Sequence, residues 1–375
     1  MGKTTNVVYP NQIALLAFIA SITFKVVMLP QYFAGSAGRA APIAMAYMMA
    51  VEVMEFVIIY GVIKRTSLLE AHIPAALKAA FILLISASSY FKTVVLSAEA
   101  VSYISTTLFD NGLWRLIVLA YMPCLVYISY KGGNVLARTA QIVFWFIAVS
   151  LLFNVLFAHF NGDTGNMLPV QFSAEIMKAC DRHMVWFGDF TPFLFLTVAR
   201  PAKPQKVRLP VMIALCFAAA AGFMVIFITA YGGGSIMVSN AFNKIAVFNR
   251  ISLLLGTVDF PTVCSWLMMS VIKLALIVYG VVEGLTYFLK KRLAVALLTG
   301  LALSLTLFFG ITNMDVSYKL ATSPIRYAVG AIEYLLPPAV YLAVRIFDKT
   351  SVQFDSTKVD VDALREEGKC REGKG

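Results

Sequence analysis

Charge is what this sequence has least of. Of its 375 residues, 14% are Asp, Glu, Lys or Arg, against about 25% in an ordinary soluble domain. With a mean hydropathy of +0.80, that shortage excludes a soluble enzyme, a disordered chain and a nucleic-acid-binding protein. Cysteine is sparse and scattered: Cys124, Cys180, Cys216, Cys264 and Cys370 are odd in number and form no CxxC pair. They read as small apolar fillers plus one tail thiol. The three histidines, His72, His159 and His183, do not cluster, so no metal site is expected. The sequence has no GxxxxGK[ST] phosphate loop, no GxGxxG after a strand, no HExxH and no GxSxG, so neither an ATP-driven pump nor an enzyme is expected, and no cofactor. The Gly232-Gly233-Gly234 run reads as a helix terminator.

What the sequence has in excess is apolar runs. Sixty per cent of residues are hydrophobic, in stretches that reach the ~20 residues a helix needs to cross ~30 Å of hydrocarbon. We read an all-α polytopic membrane protein with ten spans, at 11–35, 41–63, 77–109, 113–130, 138–158, 184–199, 208–231, 258–289, 293–310 and 325–347. Residues 1–10 precede the membrane domain of 11–347. The tail 348–375 has no apolar periodicity and is expected to be disordered. From Lys349 onward it carries six basic and six acidic residues, so the net charge of +11 belongs to the rest of the chain.

Lys and Arg set the expected orientation. The even-numbered connections hold Lys64, Arg65 and Lys78; Lys131 and Arg138; Arg200, Lys203, Lys206 and Arg208; and Lys290, Lys291 and Arg292. They are short and densely basic, which puts both termini in the cytoplasm. Two longer odd connections suggest further helices. One lies within 171–183 at the interface, and one over 241–255 suits the outer surface.

Two spans are interrupted. The first reads Ser21-Ile22-Thr23-Phe24-Lys25-Val26-Val27-Met28-Leu29-Pro30, and the sixth reads Trp186-Phe187-Gly188-Asp189-Phe190-Thr191-Pro192. These are the first spans of two successive groups of five, about 11–158 and 184–347, and an odd-numbered group repeats with inverted topology. Paired breaks at matching positions point to a transporter's central site. Unwound backbone there frees N–H and C=O groups for a ligand at mid-membrane. The plain alternative is a proline kink in each span.

A charge at mid-bilayer costs about 2.5–3.5 kcal/mol on insertion scales, so such residues face the bundle interior or a wet cavity. Lys25, Glu52, Glu55, Lys92, Glu99, Asp189 and Lys273 are placed there, while Asp259, Glu283 and Glu333 fall nearer span ends. Ser88, Ser89, Lys92, Glu99, Ser102, Tyr103 and Thr106 make a polar stripe on the third span. Asp259, Thr262, Ser270, Lys273, Gly280, Glu283 and Gly284 make another on the eighth. Glu52 and Glu55 share a face, so at least one must be protonated or paired with a lysine such as Lys25 or Lys92. Substrate-binding candidates are Thr23, Lys25, Ser88, Lys92, Phe187, Gly188 and Asp189. Coupling or ion-pair candidates are Glu52, Glu55, Glu99, Lys273 and Glu283.

This layout resembles the B subunits of spore germinant receptors (GerAB-like) in the amino acid–polyamine–organocation superfamily. The resemblance is carried by Leu29-Pro30, Gly38-Arg39, Ala137-Arg138-Thr139-Ala140, Asn166-Met167-Leu168-Pro169-Val170 and Phe187-Gly188-Asp189. These are short motifs spread over roughly residues 7–347. The resemblance implies a LeuT-like 5+5 inverted repeat with discontinuous helices 1 and 6. It also implies binding of an amino acid or small solute between spans 1, 3, 6 and 8, and a bacterial inner (cell or spore) membrane. The function implied is that of a permease or of a germinant-sensing subunit with partner subunits. In place of the small residues that the family has in the span 1 break, this chain has Thr23 and Lys25. Lys25, with Thr23, is therefore expected at the ligand carboxylate, and Asp189 with the backbone at Gly188 at the ligand amine. Lys92 and Lys273 are expected to substitute for a coupling cation, which favours proton over sodium coupling. A channel is disfavoured, because no ring of like charges repeats.

Overall fold

A computed structural model describes residues 6–109, 114–159, 162–168, 174–199, 209–248, 259–310 and 314–347. The expected disordered tail, the basic cluster from Arg200 to Arg208 and the second half of the 241–255 helix lie outside the described residues.

The chain is overwhelmingly helical. Helix α1 (Pro10–Ile22) opens with proline at its first position, where the missing N–H costs nothing. The Gln12 side chain accepts from the Tyr9 N–H at 3.2 Å. The helix stops after 13 residues, and residues 23–28 follow as buried turns. Helix α2 (Leu29–Ala37) then begins with Pro30 in its first turn. The proline therefore starts the second half of the span instead of kinking a continuous one. Gly38, at φ +56°, turns the chain into α3 (Ala41–Ile63), which buries Glu52 and Glu55 on one face.

Helix α4 (Ala75–Leu108) has 34 residues, about 50 Å at 1.5 Å per residue, so it exceeds the hydrocarbon thickness. Helices α5 (Trp114–Lys131) and α6 (Gly133–His159) meet at Gly132, at φ +98°. The fifth run thus starts five residues before the expected 138.

The sixth run departs most from expectation. Helix α7 (Ala174–Arg182) leads through a single 3-10 turn, Met184–Trp186, into the break. A second 3-10 turn (Thr191–Phe195) and a two-residue strand follow. No α-helix occupies 184–199, and the helical approach starts at 174. The short helix expected within 171–183 is this approach, and it carries Glu175, Lys178, Asp181 and Arg182. They line one side of a short helix whose Ile176, Ala179 and Cys180 are buried.

Helix α8 (Leu209–Tyr231) ends at Gly232, at φ +51°, as the glycine run implied. In α9 (Ala241–Phe248), Ala241, Phe242 and Ile245 are fully buried. Helix α10 (Asp259–Leu289) is the most enclosed of the long helices and packs against α1, α4, α5, α6 and α9. Helices α11 (Arg292–Leu305), α12 (Met314–Thr322) and α13 (Ile325–Phe347) complete the chain.

Among the described residues, seven helical stretches are long and apolar enough to cross a membrane, with α2 and α3 taken as one run. Helix α1 is apolar but too short alone, and the sixth run holds no α-helix over 184–199. Large apolar side chains such as Leu119, Ile142, Trp145, Leu298, Phe309 and Leu335 face outward, as a lipid-facing surface requires.

One element had no sequence signal. Val7–Val8 pairs in parallel with Thr197–Val198, which ties the N-terminal segment to the chain just after the sixth-run break. The alternation that marks a strand cannot be read from two residues.

Candidate functional site

The two breaks lie side by side in the middle of the bundle. Residues 23–28 have no complete helical ladder: the Lys25 N–H bonds Ile22 O and the Leu29 N–H reaches Phe24 O. The Thr23 carbonyl accepts from Trp266 Nε1 of α10 at 3.1 Å. The second break is shaped by Gly188, at φ +70°. A Cβ there would lie 2.8 Å from Glu333 Cβ, so only glycine fits. The Phe187 carbonyl accepts from Lys92 Nζ at 2.6 Å. One backbone oxygen in each break is thus bound by a side chain from a long neighbouring helix.

Seven ionisable side chains converge here: Lys25, Glu52, Glu55, Lys92, Asp189, Lys273 and Glu333, each at most 4% exposed. Lys25 Nζ lies 2.5 and 2.6 Å from the Glu52 carboxylate oxygens and donates to Ser21 O at 2.7 Å. Its ammonium also sits 4.8 Å from the Phe187 ring centroid, a cation–π distance. Asp189 is gripped by Lys273 at 2.6 Å and Lys92 at 2.9 Å, with Lys25 3.9 Å away. Lys92 reaches on to Glu333 at 3.9 Å. Glu333 in turn accepts from Ser88 at 2.8 Å and Thr191 at 3.0 Å. Buried charges persist only when paired and hydrogen-bonded, and these lysines meet that condition.

Of the expected site residues, Lys25, Ser88, Lys92, Phe187, Gly188, Asp189, Glu52, Glu55 and Lys273 come together. Several of the expected contacts are already made inside the chain. The Thr23 hydroxyl donates to Ile19 O at 2.6 Å, closing the last turn of α1. Lys25 is bound to Glu52, and Asp189 is held between lysines. In this conformation all three are engaged within the chain, the hydroxyl by a helix carbonyl and the two charges by opposite charges.

Glu99 and Glu283 stand apart. Glu99 accepts from Trp186 Nε1 at 2.9 and 3.0 Å. Around that indole stand Tyr32, His183 and Tyr318, all in ring contact. Glu283 pairs with Arg292 and bonds Asn6, near the two-stranded pairing.

Sequence reasoning placed Glu333 near a span end and left it out of the site. It sits about a third of the way along α13, with its carboxylate in the network. Its depth could have been read from its distance to Ile325, the start of that helix. Trp266 and Ser21 carried no signal beyond their types.

No protein-family model matches this sequence, and no curated protein matches it. Among solved structures, the chain is similar to MhsT in its crystal structure with L-phenylalanine. The two share 12% identity over 91% of this chain and 89% of that one, with a TM-score of 0.52. The chain therefore has the LeuT-type fold. At this identity the likeness concerns the fold alone.

Proposed function

We propose that this chain is a permease-like membrane carrier. It binds an amino acid or similar small organic solute at the unwound centres of its first and sixth spans and moves it by alternating access. The observation that carries the reading is the meeting of the two breaks at mid-bundle, where long helices supply buried ammonium and carboxylate groups beside unwound backbone. MhsT, of the same fold, was crystallised with an amino acid, which supports that solute class.

In this proposal the chain spans the membrane ten times, as two inverted groups of five, with both termini cytoplasmic. Lys92 and Lys273 hold the places that a coupling cation would occupy, so protons drive the carrier instead of sodium. A solute carboxylate would compete with Asp189 for Lys92 and Lys273, or with Glu52 for Lys25. A solute ammonium would replace one of those lysines on Asp189.

A second reading is that the chain is a germinant-sensing subunit working with partner subunits without net transport. The internal pairing of Lys25, Lys92, Lys273 and Asp189 favours it in one respect. A ligand that must break internal pairs converts binding energy into a change of shape, whether or not it crosses the membrane.

Purified protein in liposomes separates these readings. Saturable uptake of a labelled amino acid that depends on a pH gradient is the expected outcome. Binding without uptake would favour the sensor. Large non-saturating flux would overturn both in favour of a channel. If Lys25→Ala left affinity and its pH dependence unchanged, Lys25 would have no part in recognition.

A further inference from the structure

The central network does not balance. Three ammonium groups, Lys25, Lys92 and Lys273, face four carboxyl groups, Glu52, Glu55, Asp189 and Glu333. Each lysine is matched: Lys25 with Glu52, Lys273 with Asp189, and Lys92 with Asp189 at one side and Glu333 at the other. The carboxyl left over is Glu55. Among the described residues neither of its oxygens has a hydrogen-bond partner, although its residue is only 4% exposed.

The surroundings of Glu55 are acidic. Glu52 lies one turn away on α3, Asp189 stands in the sixth-run break, and α13 brings Glu333 together with the phenol of Tyr334. The cation facing it is Lys92 of α4, which is already held by Asp189 and the Phe187 carbonyl. An ionised Glu55 would be a desolvated anion facing three others, with no donor to stabilise it. A neutral Glu55 leaves the network at three positive and three negative charges.

Position gives this proton a use. Glu55 Oε2 lies 3.4 Å from where a Cβ on Gly188 would be, against the turn that forms the sixth-run break.

We propose that Glu55 is the proton-binding site of this protein. It is protonated while the Gly188 turn packs against it, and it gives its proton to water when that turn moves away. The O–H bond of the carboxyl breaks, the electron pair stays on Glu55, and the resulting carboxylate takes a new proton before the turn can close again. Its use in driving solute movement rests on the carrier reading above; the protonation itself does not.

Infrared spectroscopy of the full chain in liposomes at neutral pH tests this without any solute. The C=O stretch of a neutral, buried carboxyl is expected, with a component that disappears in Glu55→Gln and persists in Glu283→Gln. An unchanged band in Glu55→Gln would overturn the proposal. Thermal unfolding in detergent gives an independent readout. Glutamine has the shape of the neutral acid, so Glu55→Gln should keep the wild-type midpoint, whereas Glu52→Gln, which strips Lys25 of its partner, should lower it. Equal losses in the two variants would show that Glu55 is ionised, and the proposal would fall. A failed uptake assay with a positive infrared result would remove the carrier reading and leave Glu55 as the proton site.

Discussion

A side chain at position 188 has nowhere to go. The backbone there is left-handed, at φ +70°, and the Cβ of Glu333 stands 2.8 Å from where a Cβ would sit. Gly188→Ala should therefore destabilise the protein by more than ~1 kcal/mol, the upper end of what the same change contributes as stabilisation where alanine fits, read as a lowered unfolding midpoint in detergent. Asp189 carries the opposite kind of demand. Asp189→Asn would leave Lys92 and Lys273 buried without their shared anion, a loss of about 3–5 kcal/mol when one partner of a buried pair is removed. Adding Lys273→Met should return part of that loss, and a double-mutant cycle of unfolding midpoints measures the coupling. At this scale the sequence was informative about residue types and silent about partners. Lys25 and Asp189 stood out as charges in apolar runs. That Lys25 pairs with Glu52 inside the chain, and that Asp189 pairs with lysines from two other helices, follows from packing across the bundle.

Helices α4 and α10 pack against each other extensively, and small residues let them come close. A Cβ on Gly280 would lie 2.9 Å from Ser89 Oγ, and one on Gly284 would lie 1.9 Å from Ser86 Oγ. Glycines four apart let two helix backbones approach in a membrane. Gly284→Val should push α4 and α10 apart and cost about 1–3 kcal/mol, the usual range for overpacking. The drop in unfolding midpoint should exceed that for Gly222→Val on α8, where a Cβ meets nothing within 4 Å. The polar stripes on these helices were legible from 3.6-residue periodicity, because periodicity is a local property. The break in 184–199 was legible too, but the absence of any α-helix there was not, because its residues are as apolar as those of a spanning helix. Its backbone is accommodated by Lys92 and by other contacts distant in sequence. The amphipathic α7 was partly legible, although its continuation into the break was hidden by surface charge.

At the scale of the molecule, the basic residues of the connections predict a topology that can be tested directly. In a chain with its five cysteines replaced, Lys64→Cys and Lys291→Cys should react with a membrane-impermeant thiol reagent only from the cytoplasmic side. Arg39→Cys should react only from the opposite side. Labelling of position 64 and position 39 from the same face would overturn the assignment of spans between them. The sequence by itself determined that the chain belongs in a bilayer, where most of its helices run, and that two runs are broken near their centres. Hydropathy, glycine and proline act over a few residues, and those features follow from local chemistry. Tertiary structure decided which charges neutralise which, that Glu333 belongs to the centre and Glu283 does not, and that Glu55 has no hydrogen-bond partner among the described residues. Those outcomes depend on side chains up to 245 residues apart in the chain, as Ser88 and Glu333 are. In a medium without water, a buried charge is stabilised by whichever group the fold brings within reach.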